Sequence, residues 1–71
     1  MKDYLMMTTD INVDVYFRVA DVCAFYYKAD ENFTAVFVGN GHEKSAFTFP
    51  NDHTSEIIEA IDALEKRRAE R

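Results

Sequence analysis

Disulfides are out of reach for this chain, because its 71 residues include a single cysteine, Cys23. Histidine is scarce as well, with only His42 and His53, and no H-x3-H, C-x2-C or H-E-x2-H spacing that would hold zinc. Neither covalent nor metal staple is therefore at hand. A chain of this length buries only about 60% of its unfolded surface, which gives weight to oligomerisation as the supplement. Also missing are a G-x-G-x-x-G turn, a Walker loop and a nucleophile elbow. Cys23 would need a base and an oxyanion pocket to act as a nucleophile, and in a candidate central strand it reads as a small buried hydrophobe. His42, Glu43, Asp52 and His53 read as polar loop residues. The expectation is no enzyme, with no catalytic residue, no cofactor and no metal site. Long apolar runs are absent too: Met1-Lys2 is followed at once by Asp3, and Tyr4 to Met7 is far too short for a signal peptide or a membrane span. The simplest expectation is a cytoplasmic protein.

Basic residues are few and unevenly placed. Residues 1 to 65 hold twelve acids and four bases, whereas residues 66 to 71 hold four bases and one acid. An acidic body disfavours direct nucleic-acid binding, since each phosphate contact needs a Lys or Arg. Glu56, Glu59 and Asp62 followed by Lys66, Arg67 and Arg68 match what a helix macrodipole favours at its two ends.

What the chain does have is aromatic surface: six Phe and four Tyr. Nearly all of it falls in four strand-like segments. Residues 11–18 alternate, with Ile11, Val13, Val15 and Phe17 on one side and Asn12, Asp14, Tyr16 and Arg18 on the other. Residues 22–28 are apolar on both sides (Val22, Ala24 and Tyr26 against Cys23, Phe25 and Tyr27), as in a central strand covered twice, although Val22, Phe25, Tyr26 and Ala29 also fit a short helix; the adjacent aromatics favour the strand. Val19-Ala20-Asp21 is a tight connection between the two. Residues 33–38 and 43–49 flank Gly39-Asn40-Gly41, a hairpin signal, because Asn and Gly accept positive φ. A two-residue Asn40-Gly41 loop would put Val36, Val38, Phe47 and Phe49 on one face. A three-residue loop would gather Phe33, Ala35, Phe37, Phe47 and Phe49, with Thr34, Val36, Val38, Lys44, Ala46 and Thr48 opposite. The second register separates aromatic from polar groups better and is the one expected.

Pro50 ends the fourth strand and Asn51-Asp52 supplies loop chemistry. A helix over about 54–69 follows, with Asp52, Thr54 or Ser55 as N-cap and Ile57, Ile58, Ile61 and Leu64 along one face. The expected fold is α+β: one domain, residues 1–71, with a four-stranded antiparallel meander and a C-terminal helix on one face. Residues 1–9 could add a short edge strand.

Between Tyr16 and Ile61, the order Val19-Ala20-Asp21-Val22 before the second strand, an apolar third strand running into Asn-Gly, and Ser55-Glu56-Ile57-Ile58-Glu59-Ala60-Ile61 opening the helix resembles the small flagellar-operon proteins of the FlbD type. The Asn-Pro usual in that family before the second strand is replaced here by Val19-Ala20. The resemblance implies a meander plus helix with an accessory or regulatory role and no active site.

One helix cannot roof both sides of so apolar a sheet, and side chains left in water favour association. The expected function is a small non-enzymatic interaction module that pairs with itself as a homodimer and with another protein. The contact would run through an aromatic sheet face or a strand edge. Phe25, Tyr26, Tyr27, Tyr16, Val36 and Val38 are the expected partner-binding residues. A different class of function is also open: an acidic, phage-type inhibitor that mimics nucleic acid, with Asp10, Asp14, Asp21, Asp30, Glu31, Glu56, Glu59 and Asp62 standing in for phosphates.

Overall fold

The first strand pair forms where the sequence offers a turn hidden among apolar residues. Strand β1 (Tyr4–Thr8) pairs antiparallel with β2 (Asp14–Arg18), Leu5 opposite Phe17 and Met7 opposite Val15. The computed structural model describes residues 3–40 and 43–69. Asp10-Ile11-Asn12 makes the loop: the Asn12 N–H donates to the Thr9 carbonyl (3.0 Å) and the Thr9 N–H to the Val13 carbonyl (2.9 Å), with Asn12 left-handed at φ 64°. That is a type I turn closed by a left-handed residue, for which Asn is suited. The strand expected from residue 11 therefore begins at Asp14, and Ile11 and Val13 lie outside the ladder in solvent. Val15 and Phe17 still face inward.

A 3-10 turn, Val19–Asp21, with Val19 buried, carries the chain from β2 into β3 (Val22–Lys28). Strands β3, β4 (Phe33–Asn40) and β5 (Glu43–Pro50) form an antiparallel sheet in that order. The fold is thus α+β, but with five strands in two sheets rather than a four-stranded meander. The 3-10 turn breaks the ladder between β2 and β3, and β2 takes β1 as its partner instead.

The β4–β5 register pairs Val36 with Phe47, Thr34 with Phe49 and Asn40 with Glu43. Val36, Val38, Phe47 and Phe49 consequently share a face, and Phe33, Ala35, Phe37 and Ala46 share the other. The aromatic-segregating register expected from sequence is not the one adopted; neither is the register of an Asn40-Gly41 loop, since Asn40 itself pairs with Glu43, and Gly41 and His42 lie outside the described residues. Gly39 explains part of the choice. At φ 155° its backbone runs against β5, and an added Cβ would collide with the Glu43 carbonyl oxygen and sit 2.8 Å from the Lys44 Cα.

In β3 the register shifts between Val22 and Ala24, so Cys23 is a bulge residue. The bulge swings Val22 onto the same face as Phe25 and Tyr27, where strict alternation would have opposed them. Cys23 itself is exposed, with its thiol 3.3 Å from the Phe37 carbonyl, and is not the buried hydrophobe expected.

Helix α1 (Thr54–Ala69) occupies the span the periodicity indicated. Its first intrahelical bond runs from the Ile57 N–H to the His53 carbonyl (3.2 Å), while Asp52 Oδ1 accepts the Thr54 N–H (3.0 Å) and hydroxyl (2.6 Å). Those two Thr54 bonds hold the Asp52 carboxyl below its ordinary value of 3.8. Met7, Phe17, Val36, Phe49 and Ile57 form the core, with Leu5, Val15, Val22, Phe25, Val38, Phe47 and Ile61 packed around it. The hairpin and the helix therefore cover the same side of the three-stranded sheet. No described helix is long and apolar enough to cross a membrane.

Candidate functional site

The side of the three-stranded sheet that faces away from the core is the candidate site. Register defines it: Ala24, Phe37 and Ala46 form one cross-strand row, Tyr26, Ala35 and Thr48 the next, and Lys28, Phe33 and Pro50 the third. Aromatic residues dominate because strand segments rich in Phe and Tyr pack well on a pleated surface. The Tyr26 ring lies 6.3 Å from Phe33, edge-on, and 6.1 Å from Phe37, tilted. Both separations fall in the range where aromatic pairs attract. The three rings flank Ala35, which is only 3% exposed. Tyr26 remains 48% exposed.

Electrostatically this face differs from the rest of the chain. Its described strand residues include Lys28 and Lys44 and no carboxylate. Lys28 is held beside Asp30 (3.2 Å) and Glu31 (3.6 Å) in the β3–β4 loop. The acids proposed as phosphate stand-ins are dispersed and partly engaged: Asp14 accepts from the Thr8 hydroxyl (2.8 Å) and Glu56 lies 3.1 Å from His53 Nδ1. They fall in separate places: Asp10 and Glu31 line one groove with Phe33, Thr48 and Pro50, and Glu56 and Glu59 line another with Ala60 and Ala63.

The six residues singled out from sequence divide among three places. Tyr26 lies on the aromatic face. Tyr16, 68% exposed, lies on the outer side of the β1–β2 hairpin near Tyr4 and Met6. Phe25, Tyr27, Val36 and Val38 lie on the core side: Val36 is fully buried, Phe25 and Val38 pack against the core, and the Tyr27 hydroxyl donates to Asn32 Oδ1 at 2.6 Å. Val36 and Val38 do not reach this surface, because the adopted register turns them inward. Phe33 and Phe37 are the members that sequence reasoning missed. The alternation within β4 sets them opposite Val36 in either register; the signal that was misjudged is the other register, which moves Phe47 and Phe49 to the Val36 side and leaves Phe33 and Phe37 on their own.

A second polar cluster marks the corner where β5 enters the helix. The buried Thr34 hydroxyl donates to the Asn51 carbonyl (2.7 Å) and accepts from the His53 N–H (2.9 Å). Asn51 is left-handed at φ 74°, its N–H donating to the Asn32 carbonyl (2.9 Å) and its Oδ1 accepting from Asn32 Nδ2 (3.1 Å). His53 Nε2 is 2.8 Å from the Pro50 carbonyl, which can only accept, so this nitrogen carries the proton. These groups are spent on partners within the chain, both backbone and side chain, which makes the cluster a joint rather than a reactive site. Cys23 sits at the opposite end of the sheet from His53, so no thiol–imidazole pair forms. Among the described residues no group of three His, Cys, Asp or Glu converges as metal ligands would. Comparison with protein-family models, with curated proteins and with solved structures finds no match to this chain.

Proposed function

We propose that this protein is a small non-enzymatic interaction module that docks to protein through the aromatic face of β3, β4 and β5. The observation that carries the reading is the ring cluster of Tyr26, Phe33 and Phe37, built on the side of the sheet that the hairpin and helix leave open. Tyr and Phe are the residue types that concentrate binding energy at protein interfaces, and a rigid sheet holds them with little entropy left to lose. An accessory or regulatory role in the cytoplasm is the setting this reading favours, and it is also the role implied by the resemblance to FlbD-type proteins.

The test is affinity capture with the wild-type chain and with a Tyr26→Ala/Phe33→Ala variant, each first checked for native circular dichroism. Loss of bound protein with the fold retained supports the reading. Equal capture by both chains contradicts it.

A further inference from the structure

We infer that the occupant of the aromatic face is a second copy of this chain, packed sheet to sheet about a two-fold axis parallel to β4. This rests on the docking-face reading above and names its partner. Three observations carry it.

The first is area. The chain exposes 5275 Å². A compact monomer of 8.2 kDa exposes roughly 4500 Å² by surface–mass scaling. The excess over the whole chain, roughly 750 Å², is of the order of the ~800 Å² per partner that a standard stable interface buries. The Cα radius of gyration agrees, at 12.5 Å against about 11 Å for a compact chain of this length. The extents are 40 × 27 × 19 Å, so the molecule is a slab.

The second is charge. Two copies of a chain with net charge −5 repel each other over most orientations. The strand residues of the aromatic face carry no carboxylate; Asp10 and Glu31 border its Phe33–Thr48–Pro50 end, and Lys28 is paired with Asp30 and Glu31. Lys28 and Lys44 stand at diagonally opposite corners of it. A two-fold axis along β4 lays β3 of one copy over β5 of the other, which brings Lys28 against the Pro50 corner and Lys44 against the corner beside Ala24. No lysine meets a lysine.

The third is shape. The β3 column projects Tyr26, whereas the β5 column offers Ala46 and Thr48 and is low. The same axis seats Tyr26 of each copy in the other's Ala46–Thr48 hollow. An axis perpendicular to the strands would instead set the two low columns against each other and leave a void, which protein interfaces avoid.

Sedimentation equilibrium of the full chain from about 5 to about 500 µM, a span covering firm to weak association, tests the inference. The expected result is a species of twice 8.2 kDa. Phe37→Glu should raise its dissociation constant more than about thirtyfold, the loss expected at an interface centre, while far-ultraviolet circular dichroism stays native. Isotope-filtered NMR on mixed labelled and unlabelled wild-type chain should give intermolecular contacts from the Tyr26 ring to Thr48 and Ala46. This second measurement decides the matter if Phe37→Glu does not fold. A wild-type chain that stays monomeric overturns the inference alone; the docking-face reading then stands or falls on its own capture experiment. A dimer indifferent to Phe37→Glu, or one whose intermolecular contacts run along the β5 edge, overturns the inference as well.

Discussion

The two faces of the three-stranded sheet carry similar residues and differ in what covers them. On the inner face Phe49 and Val36 are fully buried beneath Phe17 and Ile57; the Phe17 and Phe49 rings stack at 6.4 Å. On the outer face Tyr26, Phe33 and Phe37 are clustered just as closely, yet no element of the chain lies on them. Aromatic content alone does not separate the two. What separates them is cover: the hairpin and the helix both go to one side, because the bulge at Cys23 and the register of β4 with β5 gather Val22, Phe25, Val36, Val38, Phe47 and Phe49 there. The difference teaches that a small chain can complete one core and still have apolar surface in hand for a partner.

Breaking the inner face should have the largest effect. Phe49→Ala should cost about 3–5 kcal/mol. A domain of this size holds only about 5–10 kcal/mol in total, so chemical denaturation should find this variant barely folded at 25 °C. Thr34→Val comes next. It keeps the volume but strands the His53 N–H and the Asn51 carbonyl without the hydroxyl that serves both. A loss of about 1–3 kcal/mol follows, readable as a melting temperature lower by roughly 5–15 °C.

Asp52→Ala sharpens the comparison by testing the joint that aims the helix at the inner side. The Asp52 carboxyl is depressed by the Thr54 hydroxyl and N–H. Its contribution is therefore complete above the ordinary value of 3.8 and fades as pH falls through the lower folded value. At neutral pH the variant should melt below wild type, and the gap should close in strongly acidic buffer, as followed by thermal denaturation across pH. Arg67→Met should have the smallest effect. The Arg67–Asp3 pair (2.8 Å) is exposed on the Asp3 side, and Arg67 Nε is buried without a partner among the described residues. Removing both is expected to change stability by less than about 1 kcal/mol in urea titrations.

The helix was legible in the sequence because its period, the preceding Pro50 and the charge gradient agree on one span. The third and fourth strands were legible for the same reason, although not their register. That failed on Thr34, a residue whose hydroxyl looked destined for water and instead ties β4 to the start of the helix. The first hairpin was obscured by Ile11 and Val13, whose alternation with Asn12 and Asp14 imitates a strand while Asp10-Ile11-Asn12 turns. The bulge at Cys23 has no local signal at all, since Val22 to Tyr27 is apolar in either phase. The aromatic face inherits these errors: of the six residues expected to bind a partner only Tyr26 lies on it, Phe33 and Phe37 are not among the six, and Val36 and Val38 lie on the core side.

Urea unfolding of Phe37→Ser beside Phe49→Ser, at sub-micromolar chain where association is absent, tests the division between the faces most directly. Phe37→Ser is predicted to unfold cooperatively within about 1–2 kcal/mol of wild type, as befits a half-buried residue outside the core. Phe49→Ser is predicted to lack a folded baseline. Equal destabilisation by the two, or a greater loss from Phe37→Ser, would contradict the assignment of one face to folding and the other to docking.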